Sequence, residues 1–434
     1  MKPKGLLIAV GLLAVLGGLT WWSNKKQAAA GKTTDTTTKV LAIPADQVQE
    51  VRVKNPQQTL DLRRDNGKWQ ITQPEPLPAD QDGVSSLVGT FSTLNADAVV
   101  EAKAADLTPY GLNSPTLDVQ IVKKDGKTDN LLVGDETPTG SGSYAKLAND
   151  ARVFTIGSYI KTSLDKKPDD LRDKRLLTFD SDKLTRVELQ AKNEALEFGK
   201  NSQNEWQILK PRPLRADGSQ VDTLVNNLKD VRMDLSDDPK KAGAGFAAGT
   251  KVATAAVTDA GGNQTIEVHK DKDNYYAKSS VVAGIFKVGA DFGKNLDKGL
   301  NDFRNKKLFE FGFSDPSKIE LKNTSYTKNG DKWMSGVKTM DNGSVQNLID
   351  KLRDLAATTF EDKGAGDLVF EATVTSNMGK RVEKVAITKQ SDKYFAKRGD
   401  EPSIYGLESK AVDDLQKAAS EVKEAVPPAP AKKK

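Results

Sequence analysis

Apolar residues recur along this chain in a single spacing that is written three times. Counted from Asp80, Asp217 and Asp341, they fall at +4, +7, +8, +11 and +14. The first set is Val84, Leu87, Val88, Phe91 and Leu94; the second is Val221, Leu224, Val225, Leu228 and Val231; the third is Val345, Leu348, Ile349, Leu352 and Leu355. That spacing is one face of an amphipathic helix. Each Asp stands where an N-cap belongs, because a short carboxylate accepts the free N–H groups of a first helical turn. Ahead of each helix, short apolar runs predict strands: 48–53, 60–62 and 69–71, then 184–189, 196–198 and 206–208, then 319–321 with Tyr326 and Trp333. Asn66-Gly67 and Asn329-Gly330 are hairpin turns in this reading, since Gly tolerates positive φ.

More strands are predicted after each helix. They cover 117–122, 131–133, 144–147 and 153–156 in the first copy, 252–257, 264–268, 275–277 and 285–288 in the second, and 368–374, 382–387, 394–396 and 404–407 in the third. A final helix is expected around Asp170-Leu171-Arg172-Asp173-Lys174-Arg175-Leu176 and its counterpart Asp302-Phe303-Arg304-Asn305-Lys306-Lys307-Leu308. The repeat extends to residue identity. Trp69-Gln70-Ile71, Pro74, Pro76-Leu77 and Ala79-Asp80 return as Trp206-Gln207-Ile208, Pro211, Pro213-Leu214 and Ala216-Asp217, with a worn third copy starting at Trp333. A fixed period of this kind governs the whole architecture. The expected fold is α+β: three tandem modules, each a curved antiparallel sheet carrying one or two helices, behind an N-terminal transmembrane helix. The boundaries read as 1–26 for the anchor or signal, 27–45 for a flexible linker, 46–180, 181–314 and 315–423 for the modules, and 424–434 for a Pro/Lys tail.

Residues 5–22 are apolar and uncharged, with lysines at positions 2 and 4 before them and Trp21 and Trp22 at the end. Two readings fit: an uncleaved single-pass anchor, or a signal peptide cleaved near Ala28-Ala29-Ala30. The length of the run and the paired tryptophans favour the anchor. Either reading places the rest of the chain outside the cytoplasm, with the inner membrane as one expected partner. The tail, Pro427-Pro428-Ala429-Pro430 and then three lysines, reads as a solvated tail.

Composition narrows the chemistry. The 65 basic and 60 acidic residues are interspersed, giving a net charge of +5 without a basic stripe, so no nucleic-acid partner is expected. With no cysteine there are no disulfides, thiolate metal sites or thiol nucleophiles. The single histidine, His269, is expected at an exposed turn with no nucleophile beside it. No HExxH, GxSxG or P-loop is present. Asp170 with Asp173 around Arg172 is the best local carboxylate pair, but the second copy carries Asp302, Arg304 and Asn305 there, so the second acid is not kept. A structural reading fits better: Asp caps a helix and Arg ties adjacent modules. Gly134-Asp135 and Gly140-Ser141-Gly142 read as hairpin turns, and Tyr110-Gly111-Leu112 as a turn that could also present an aromatic contact. No catalytic, cofactor or metal residues are assigned. The candidate contact residues are Asp170, Arg172, Asp302, Arg304 and Tyr110.

The run from Trp69 through Pro74 and Asp80, Tyr110 to Pro115, the 131–147 hairpin and Asp170 to Leu177 resembles the DUF4340 family, closely over 48–180, fairly over 181–312 and faintly over 315–420. The resemblance implies a non-catalytic extracytoplasmic companion of a bacterial ABC-type export system, including those similar to gliding-motility transporters. Its partners would then be envelope proteins such as transporter subunits. The alternative is a periplasmic binder of polysaccharide or peptidoglycan, with Tyr110, Tyr144 and Tyr159 stacking on sugars. The third copy lacks the Asp-x-Arg-x-Lys element, has a helix at 410–423 instead, and reads as a capping unit.

Overall fold

The computed structural model describes residues 38–312 and 316–426. The chain divides into two compact units, one ending at Lys174 and the other beginning at Arg175. The first unit contains a nine-stranded sheet, and the second contains an eight-stranded and a nine-stranded sheet. Every strand pairing in them is antiparallel.

The three large sheets follow one strand order, the second without the ninth, far-edge strand. In the first, Val48–Lys54, Thr59–Asp65, Lys68–Gln73 and Leu77–Pro78 step outward to one edge. The helix Gln81–Ser92 then carries the chain back, and Ala98–Glu101 is laid on the far edge. Leu117–Lys123 enters beside Val48–Lys54, and the remaining strands step outward to meet Ala98–Glu101. Arg186–Ala191 lies beside Thr250–Asp259 in the second sheet, and Lys318–Leu321 beside Asp367–Ser376 in the third. Each sheet covers its own apolar core, into which the predicted face of its helix is buried without exception.

The N-caps form as their chemistry dictates. Asp80 accepts from the N–H of Asp82 and Gly83 at 3.1 and 3.2 Å, Asp217 from Ser219 at 3.0 Å, and Asp341 from Ser344 at 2.9 Å. Replacing any one of them with alanine should cost about 1 kcal/mol in chemical denaturation, while asparagine should restore nearly all of it. Equal effects of alanine and asparagine would refute the capping role.

The expectation of an α+β chain behind a transmembrane helix is corrected here. Among the described residues antiparallel sheet predominates, in four sheets, and no helix is long and apolar enough to cross a membrane. The longest of the described helices have 13 residues, about 20 Å of axial rise, and bury one stripe only. The apolar run at 5–22 lies outside the described residues. The apolar runs mark only the cores of the strands, so the sheets extend beyond what the hydrophobic pattern predicts. Gly262–Asp271 and Arg381–Gln390 each run 10 residues, with polar residues on one face and at their ends.

Two further expectations change. Thr38–Leu41, placed in a linker, is a strand paired with Leu94–Ala96, because Leu41 and Ile43 are buried in the first core. The final helix is also shorter than expected. Pro168–Leu171 and Leu300–Phe303 are single turns that end when Arg172 (ψ 146°) and Arg304 (ψ 139°) turn extended. The residues after them are straps. Ala79 bridges to Arg172 and Ala216 to Arg304, and the N–H groups of the capping residues Asp80 and Asp217 donate to Leu171 and Phe303 at 2.7 and 2.8 Å. In the third module Asp341 donates to Lys423 at 2.8 Å, and Met340 bridges to Glu424. The strap survives there without its side-chain signature, because backbone groups make it.

Candidate interaction surfaces

The straps fix where the expected contact residues point. Asp170 accepts from the N–H of Lys167 at 2.9 Å and Asp302 from that of Gly299 at 2.8 Å, so each carboxylate closes its own helical turn. Arg172 lies 3.8 Å from Asp169. Arg304 has a different setting. It is buried, and its guanidinium stacks 3.5 Å from the ring centroid of Phe360, on an edge strand of the third sheet, and donates at 2.9 Å to Oγ of Ser403, in the loop just before Ile404–Leu407. Burial lowers its pKa from the ordinary arginine value, Glu401 opposes that shift and Arg212 adds to it. The structure thus leaves Asp170 and Asp302 with local work and gives Arg304 a long reach.

Around Arg304 lies a polar network that sequence reasoning did not find. Arg215 donates to Lys307 O at 2.9 Å and faces Glu310 at 3.3 Å and Glu401 at 3.6 Å. Arg381 donates to Glu310 O at 2.7 Å and pairs with Glu205. Arg398 and Glu383, each 3% exposed, pair at 3.1 Å; Arg398 also reaches Leu308 O and Asp400, and Glu383 accepts the N–H of Glu310. Burial raises the pKa of Glu401 against the pull of Arg215 and Arg398. No local motif announces these groups, since they come from segments nearly two hundred residues apart and meet only once the sheets have formed. With the strap bridges Ala216 to Arg304 and Lys307 to Ala356, they knit the second and third sheets together. Arginines buried with matched carboxylates and carbonyls read as structural glue, with no solvent-facing nucleophile among them.

Tyr110 ends a one-turn 3-10 helix, as its Gly111 at φ 67° allows, and packs edge-on against Tyr144 with ring centroids 5.1 Å apart. Its hydroxyl donates to Glu101 at 2.9 Å, which raises the phenol pKa above its ordinary value, assisted by burial. Glu101 closes the edge strand Ala98–Glu101, so the tyrosine pair pins one end of that strand. Tyr159 stands apart at 71% exposure. On one side Ala98–Glu101 pairs with Val153–Gly157; among the described residues no strand pairs with its other side. Val99 and Val100 on it are 41% and 44% exposed.

His269 departs from the expected turn. It lies in the strand Gly262–Asp271, stacked on Phe246 at 3.8 Å between centroids, with Nδ1 2.8 Å from Phe246 O and Nε2 2.8 Å from Glu267. Phe246 comes from the helix Pro239–Ala248, whose glycine-rich sequence hid it from the periodic reading. Gly245 on that helix faces the Tyr276 ring, and any Cβ there would collide with it. Among the described residues no group of three or more His, Asp or Glu side chains could hold a metal.

No curated protein and no solved structure matches this chain. A family model matches twice, over residues 69–234 and 206–369, each match opening on the tryptophan of its repeat. Together the matches span well over half of the chain, which therefore belongs to the family described as Domain of unknown function (DUF4340).

Proposed function

We propose that this chain is a non-catalytic extracytoplasmic binding protein, an accessory of an ABC-type export system, that holds other proteins along its sheet edges. The observation that carries the reading is the edge strand Ala98–Glu101. An open edge offers a row of free backbone groups to another chain; this one is short and carries a register shift at Val100, between Val99 opposite Phe154 and Glu101 opposite Val153, but it has no lysine or proline. Here three apolar residues, Ala98, Val99 and Val100, precede the first charge, and two of them are substantially exposed. A rigid support pins the strand at Glu101 through Tyr110. Strand addition to such an edge gives affinity through the backbone and selectivity through alternate side chains. The export partner comes from the family resemblance, and the edge supplies the manner of binding.

In-cell crosslinking followed by purification of the tagged full chain tests this reading. Recovery of transporter permease or ATPase subunits in stoichiometric amount is expected. The double substitution Val99→Lys with Val100→Lys should cut that recovery about tenfold while moving stability by no more than about 0.5 kcal/mol. Recovery of cell-wall glycan fragments with no protein partner would overturn the proposal and favour a glycan binder.

A further inference from the structure

The second sheet carries a notch of its own. Thr250–Asp259 pairs with Gly262–Asp271 from Asp259 opposite Gly262 to Thr250 opposite Lys270, with one register shift at Val252. On its other side Arg186–Ala191 accompanies it only as far as Ala253, opposite Ala191. The chain turns away there at Lys192 and Asn193, both in the left-handed region at φ 50° and 61°. Thr250, Lys251 and Val252 therefore overhang, the first two exposed and the third half-buried. Their free edge opens on a trough of about 770 Å³.

The third sheet repeats the geometry with a smaller trough, of about 420 Å³, that its last helix partly covers. Lys318–Leu321 stops at Leu321, opposite Ala372, so the start of Asp367–Ser376 overhangs in the same way. There Gln416, from the helix Ser409–Ser420, donates its side-chain amide to Val369 O at 3.2 Å. One carbonyl of that overhang is thus met by the chain's own helix. Among the described residues no side chain caps Thr250–Val252.

Charge selects the occupant of the open notch. Lys192, Lys251, Lys270 and Lys272 line the trough against two acids, Glu194 and Asp297. Glu194 is already engaged, accepting the N–H of Leu300. The lysines have only loose acidic partners: Lys251 is 3.7 Å from Glu267 and Lys192 4.0 Å from Asp302. Such surface pairs contribute little and exchange readily. We infer that the overhang at Thr250–Val252 is a strand-addition site for an extended acidic segment of a partner protein. Backbone groups of that segment continue the ladder where Ala191 leaves it, and its carboxylates meet the lysines. The inference rests on the protein-binding reading above and assigns it a second, charge-selective edge.

The test uses the full chain and a fluorescent peptide of alternating Glu and Val. Binding should be saturable, weaken as salt rises, and fall about tenfold or more in the double variant Lys251→Glu with Lys270→Glu. The same peptide N-methylated at alternate residues keeps its charge but cannot pair, and it should bind at least about tenfold more weakly to the unaltered chain. Equal binding of both peptides would overturn the inference and leave a site for anions in general; so would no binding of either. If the double variant also retains its captured export subunits, only the notch fails and the wider reading stands. Failure of capture with both unaltered chain and variant would instead reject the wider reading.

Discussion

Replacing Glu383 with alanine should destabilise the unit beginning at Arg175 by about 1–3 kcal/mol, measured by chemical denaturation of the full chain. Glu383 and Arg398 are both 3% exposed, so neither can recover hydration when its partner is lost. The truncation also removes the acceptor of the Glu310 N–H, in the segment that leads into the third sheet. Arg398 keeps its two hydrogen bonds to Asp400, so the cost falls on its buried Nη1, which loses its carboxylate and keeps only the Leu308 carbonyl. The double variant Glu383→Leu with Arg398→Met should therefore regain most of the loss, since apolar groups of similar volume need no partner. A double variant as unstable as the single one would show that the pair matters for shape and not for charge balance.

Phe303→Ala should cost about 3–5 kcal/mol in the same unit. The ring is fully buried and packs against Phe198 with centroids 4.9 Å apart, joining the strap to the inner face of the second sheet. Its backbone carbonyl receives the N–H of Asp217, so a strap loosened by the cavity would also loosen the helix cap. Phe303→Leu keeps most of the volume and should lose less than half as much. If alanine and leucine lose the same amount, the cavity account fails and the strap is held by its backbone alone.

The helices Gln81–Ser92, Gly218–Asp230 and Asn342–Asp354 were legible because each carries a full apolar stripe and an N-cap Asp within one short stretch of sequence. The strands were legible only at their apolar cores. Thr128–Glu136, expected at 131–133, gains its extra length from polar residues whose pairing depends on neighbours far along the chain. The Asp-x-Arg element was found, but its work was misassigned in part. Asp170 and Asp302 close one-turn helices, and the strap that follows is a backbone feature, which Lys423 and Glu424 reproduce without any shared side chain. The buried charges at Glu383 and Arg398 and the half-buried Arg215 had no sequence signal, because long-range packing and not local spacing makes them partners. The edge at Val99 and Val100 was equally silent, since two adjacent valines look alike in a buried and an open strand.

The most direct test of the account places a photo-crosslinking amino acid at position 100, on the open edge, in the full chain expressed in its own cells. The account predicts a crosslink to a subunit of an export system, with the crosslinked partner peptide in an extended segment. No crosslink to any protein from position 100, while the same probe at exposed Tyr159 captures one, would contradict the claim that this sheet edge is where the chain binds.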